Sequence, residues 1–158
     1  MSVARFLFLF VFVADASLFE YYHYNVVGSL KCNGEAYSNA TIIFYEMDIG
    51  KNDLCAVVRS DSSGKFRSTA QEEDAFMYFV APFLKPDDLH MHVVHNCSVE
   101  GPKCVERNLG TDIWQKGDIE PHVIAEMELA QATSTECDER VLWDLGLEHS
   151  EPTSCNMN

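Results

Sequence analysis

Basic residues are scarce in this chain. It holds 11 Lys and Arg against 25 Asp and Glu, a formal net charge of -14. Nucleic-acid phosphates demand a basic surface, so that balance argues against nucleic-acid binding, and equally against unaided attraction to anionic membranes. Beyond the first residues no apolar run is long enough for a transmembrane span, which needs about 20 residues. Three catalytic signatures are also missing: a Gly-x-Ser-x-Gly elbow, a His-Glu-x-x-His helix and a phosphate-binding glycine loop. The acidic loop from Asp48 to Asp53 lacks the ordered ligand spacing of a calcium loop and reads as a solvated connection.

What is present begins at the N-terminus. Arg5 precedes an apolar run from Phe6 to Ala14, and Ala14-Asp15-Ala16 has the small-x-small pattern of a signal peptidase site. Residues 1–16 are therefore expected to be a cleaved secretory signal, with the mature chain starting near Ser17. One domain over 17–130 and an acidic, cysteine-containing tail over 131–158 are expected to follow.

Secretion gives the six cysteines their meaning, because an oxidising compartment favours disulfides over metal ligands or nucleophiles. Cys97 and Cys104 flank a Gly101-Pro102 turn and are expected to pair. The pairing of Cys32, Cys55, Cys137 and Cys155 stays open, with a Cys32–Cys137 tether favoured. Asn39-Ala40-Thr41 and Asn96-Cys97-Ser98 are N-glycosylation acceptors, so Asn39 and Asn96 are expected to carry glycans on an outward face.

Alternation with period two recurs at the spacing of short strands. Val26, Gly28 and Leu30 share one face, and Ala40, Ile42 and Phe44 point inward while Thr41, Ile43 and Tyr45 point outward. "SDSSGKF" predicts a hairpin in which Gly64 takes the positive-φ position. The stretch from about Gln71 to Val80 is compatible with a short helix within the 70–82 connection. Period two then returns, placing Met91, Val93 and His95 on one face and His90, His92, Val94 and Asn96 on the other. "HVIAEMEL" predicts a last antiparallel strand with Val123, Ala125, Met127 and Leu129 inward. Short strands and hardly any helix point to an all-β sandwich.

"VVGSLKCNGEAYSNATIIFYEMD", "DLCAVVRSDSSGKF" and "HNCSVEGPKC", in that order, resemble the nematode transthyretin-like family of secreted proteins. The resemblance covers about Val26 to Leu129. It implies a transthyretin-like (prealbumin-like) antiparallel β-sandwich of seven to eight strands and an extracellular binding or bridging role, but no cofactor and no known activity. A homo-oligomer built through sheet edges is compatible with it. A related hydrolase branch ends in a Tyr-Arg-Gly-Ser tetrapeptide that this chain lacks, and no basic entrance of a thyroid-hormone channel is visible.

Two segments remain as site candidates. His90 and His92 lie two apart on one strand face and could share a metal, with His122 as a distant helper, which would make a metal-dependent hydrolase the alternative to a binding protein. His95 is expected to be a buried, hydrogen-bonded ring near a disulfide. Phe76, Tyr78, Phe79 and Phe83 crowd a connection that should be polar if it only joined strands, and they form a candidate binding patch. The partner expected is an extracellular protein, a lipid or a small hydrophobic ligand.

Overall fold

A computed structural model of the chain describes residues 22–47, 52–72, 88–98 and 102–137. The signal segment, the aromatic patch at Phe76, Tyr78, Phe79 and Phe83, and Cys155 lie outside the described residues. Ten strands are described: β1 (Tyr22–Cys32), β2 (Glu35–Ala36), β3 (Thr41–Met47), β4 (Asn52–Arg59), β5 (Lys65–Glu72), β6 (Leu89–His95), β7 (Lys103–Gly110), β8 (His122–Val123), β9 (Met127–Glu128) and β10 (Thr135–Glu136). In one sheet β1 is flanked by β5, β2, β8 and β9. The other has the order β10-β7-β6-β3-β4.

The two sheets pack because each strand offers an apolar row with period two. Tyr24, Val26 and Leu30 from β1 meet Ile42 and Phe44 from β3 and Leu89, Met91 and Val93 from β6 in one core. Tyr24 anchors it with its ring 5.3 Å from Trp114 in an edge-on contact and 5.7 Å from Phe44. Its hydroxyl meets the Ser68 hydroxyl at 3.1 Å, the partner a buried phenol needs. Gly28 has a packing reason as well: a side chain there would strike the Phe66 ring across the strand pair, within 2.5 Å of a Cβ. The turn before β5 is as its residues dictate. Gly64 has φ of 75° and donates its N–H to the Asp61 carbonyl, while the Asp61 carboxylate accepts the N–H groups of Ser63 and Lys65.

Several expectations need correction. The predicted strand over "HVIAEMEL" is broken into β8 and β9, and both run parallel to β1. The irregular stretch between them reverses the alternation, so Ile124 is buried and Val123 is 73% exposed. Gln71 and Glu72 continue β5 rather than begin a helix, and residues 73–82 lie outside the described residues. Ile43 and Tyr45 do point away from the main core, yet they are fully buried with Leu54, Val57 and Val94 in a second cluster.

The disulfides also differ. Cys97 pairs with Cys32, and Cys104 pairs with Cys137, so neither Cys97–Cys104 nor Cys32–Cys137 forms. The reason is strand parity. Cys104 stands opposite Val94, whose side chain belongs to the second cluster, while Cys97 enters the main core between the sheets. Neighbours in sequence thus face opposite sides of one sheet. Cys32–Cys97 ties the two sheets together, and Cys104–Cys137 holds the edge strand β10 against β7, carrying the folded part past residue 130. Cys55 is disulfide-bonded too.

Candidate ligand-binding groove

The side chains of β1 and β5 that do not enter the core line the outside of the smaller sheet. Val27 stands opposite Arg67 on one side and Val123 on the other, and Ser29 stands opposite Lys65. With Gly28, Phe66, Ile124, Arg59 and Asp61 they form an open groove of about 560 Å³. That is within the range of small-molecule sites. Its floor is aliphatic, and Val123 and Ile119 are the large apolar side chains most exposed to solvent among the described residues.

The rim carries three cations, Arg59, Lys65 and Arg67. Arg59 donates from Nη1 to the Asn39 amide oxygen at 3.0 Å, and Arg67 donates from Nε to the Asn25 amide oxygen at 3.0 Å. Both guanidinium groups are held by neutral acceptors, which fix position without cancelling charge. Among the described residues no carboxylate lies within ion-pair distance of Arg59, Lys65 or Arg67. Asp61 is occupied by its own turn; hydrogen bonds from Ser63 and Lys65 hold its carboxyl below the usual range. Glu126 reaches Ser29 at 3.5 Å but is bound to Lys31 at 2.9 Å. The cations were missed in sequence because β4 and β5 belong to different sheets and bring them to one place only when the sheets pack.

On the outside of the larger sheet, His90 and His92 share a face as predicted, and Tyr45 and Glu106 join them. Register brings Tyr45 beside His90 and Glu106 beside His92. The Glu106 carboxylate meets His90 Nδ1 at 3.1 Å, His92 Nε2 at 3.4 Å and the Tyr45 hydroxyl at 3.1 Å, while Tyr45 also meets His92 Nε2 at 3.0 Å. Burial alone would raise the Glu106 carboxyl; the charge of His92 and the hydrogen bonds from His90, Tyr45 and His92 outweigh it and lower it. Burial, with Glu106 adding its charge, pushes the Tyr45 phenol well up. The imidazoles thus converge on a carboxylate. Among the described residues no group of three or more His, Cys, Asp or Glu is arranged to hold a metal ion. His122 belongs to β8 in the other sheet and cannot help.

His95 is buried. Its Nδ1 accepts the N–H of Cys97 at 3.2 Å, its Nε2 meets the Ser134 hydroxyl at 3.1 Å, and burial holds its pKa below the usual histidine value. Asn39 and Asn96 are both exposed, and continuing the β3–β6 register from Thr41 and Val94 sets them side by side around a shallow depression that Tyr37 also lines. Tyr37 donates its hydroxyl to the Asn96 amide oxygen and accepts the Asn96 N–H at 3.1 Å.

No curated protein matches this sequence. Among solved structures, a 9R-lipoxygenase from Cyanothece PCC8801 is similar at 18% identity and a TM-score of 0.37. The match covers 68% of this chain and 16% of that one. The model of the transthyretin-like family matches residues 27–113, more than half of the chain, from the middle of β1 through the end of β7. With two sheets packed face to face over those residues, this chain belongs to the transthyretin-like family.

Proposed function

We propose that the protein is a secreted, extracellular binding protein, and that the groove beside β1 takes a small hydrophobic ligand. One observation carries this reading. An aliphatic floor with Val123 73% exposed is left open to water in a groove of ligand size. Exposing such surface forgoes burial worth about 25 cal/mol per Å². A bound apolar molecule would recover it. The short apolar N-terminal run, the disulfides and the two glycan acceptors are consistent with an extracellular setting, and a non-enzymatic role fits the absence of a catalytic motif in the sequence.

The test starts from the full chain expressed in a secreting eukaryotic host. The mature protein is expected in the medium beginning near Ser17, and native mass spectrometry of it is expected to find a co-purified small molecule. Val123→Asp, at an exposed site, is expected to lose that molecule while the thermal midpoint holds. Retention of the chain inside the cell would refute secretion. Equal loading of native and Val123→Asp protein would refute the groove.

A further inference from the structure

The geometry points to a ligand with an anionic headgroup on a single alkyl chain, bound with its head at Arg59, Lys65 and Arg67 and its chain along Val27 and Val123; this rests on the reading of the groove as the ligand site. The chain has 25 carboxylate side chains to 11 basic ones. Three of those scarce cations nevertheless border one groove, and none is paired with an acid among the described residues. Asp61 also lines the groove and feels the charge of Lys65, but its carboxylate is taken by the N–H groups of Ser63 and Lys65 in its own turn. The two guanidinium groups are anchored by the amide oxygens of Asn25 and Asn39, at 3.0 Å each. Asn25 is itself 3% exposed, so its grip on Arg67 is built into the wall rather than hung on the surface.

An arginine held through one edge keeps its remaining N–H groups for a planar anion, and its charge is not cancelled. The acidic remainder of the surface would repel an anion at long range. Attraction must then be local, and it needs the apolar contact to add to it. The aliphatic row supplies that contact. Phe66, the aromatic ring of the lining, faces the core beneath Gly28, so no ring stands outward to stack on an aromatic ligand. A flexible alkyl chain suits the row of Val27 and Val123 better. The volume of about 560 Å³ is that of a site for one small ligand.

Calorimetric titration of the full secreted protein with dodecanoate, dodecyl phosphate and dodecanol, each below its aggregation threshold, tests this. At least one of the two anions is expected to bind once per chain and about tenfold or more tighter than dodecanol. Its affinity is expected to fall as salt is raised. Replacing Lys65 and Arg67 together by Gln, both at exposed positions, is expected to remove that preference while leaving dodecanol binding unchanged. Equal binding of dodecanol and both anions overturns the anionic headgroup but leaves the groove as a hydrophobic site. Anion binding that survives the double substitution overturns the assignment to this rim. Failure of all three probes removes both this inference and the groove reading. Capture by vesicles of mixed phosphatidylserine and phosphatidylcholine, without binding of either single-chain anion, overturns it in favour of a membrane surface.

Discussion

At the scale of single residues, His95 and Gly64 show how one local constraint becomes a measurable property. The His95 ring is kept neutral by burial, with its Nδ1 already used as an acceptor by the Cys97 N–H. An unfolded chain takes up a proton on histidine near pH 6.5, whereas the folded protein does so only at lower pH. The unfolded state therefore binds more protons in that window. Stability present above about pH 6.5 is lost as the pH falls toward the folded value. His95→Gln is expected to show a smaller drop in thermal midpoint than the native protein between about pH 7.5 and pH 5.5; an equal drop would mean that other groups carry the effect. Glu106 acts at lower pH, since its depressed pKa contributes stability above the ordinary carboxylate value that is lost on descending through the folded one. Gly64 is a steric matter. Besides its φ of 75°, a Cβ there would lie 2.4 Å from the Leu30 carbonyl oxygen, so Gly64→Ala is expected to cost about 2–3 kcal/mol in chemical denaturation. A change under about 0.5 kcal/mol would show that the turn relaxes freely.

At the scale of strands, what could be read from the sequence was whatever period two decides within one strand. Val26 and Leu30, Ile42 and Phe44, and Met91 and Val93 all enter the main core as their alternation requires. The Asp61–Gly64 turn was equally legible, because its residue types answer to local backbone geometry. Pairing of strands and packing of sheets were not, and each miss traces to them. Cys97 and Cys104 are close in sequence but are carried to opposite sides of the larger sheet. Tyr45 and Glu106 join the histidines only through the β3–β6 and β6–β7 registers. Arg59 and Arg67, on strands of different sheets, share one groove only once the sheets pack. β8 and β9 read as one strand because a two-residue alternation hides a break at Ile124. The disulfides make this level testable. Cys32–Cys97 closes a separation of 65 residues, so replacing both by Ser is expected to destabilise the protein by about 4 kcal/mol, an estimate from chain entropy. Non-reducing peptide mapping is expected to recover Cys32 with Cys97 and Cys104 with Cys137, and then Cys55 with Cys155, the one cysteine left by count. Recovery of a Cys97–Cys104 peptide would contradict the parity argument.

At the scale of the whole molecule, charge and covalent closure act together. A net charge of -14 keeps the chain soluble but makes it repel itself, and moderate salt is expected to raise the thermal midpoint by screening that repulsion; a midpoint that falls with salt would show that surface ion pairs dominate instead. Cys32–Cys97 and Cys104–Cys137 enclose two stretches of chain that do not overlap. These two bonds close two rings in tandem, and the disulfide of Cys55, which lies inside the first, adds a further closure. A protease that cuts once inside either ring opens it without releasing a piece, because the two new ends remain joined through sulfur. Cleaved protein is therefore expected to run as one band on a non-reducing gel and as two after reduction. A protein built this way tolerates nicking, since a cut chain stays one molecule.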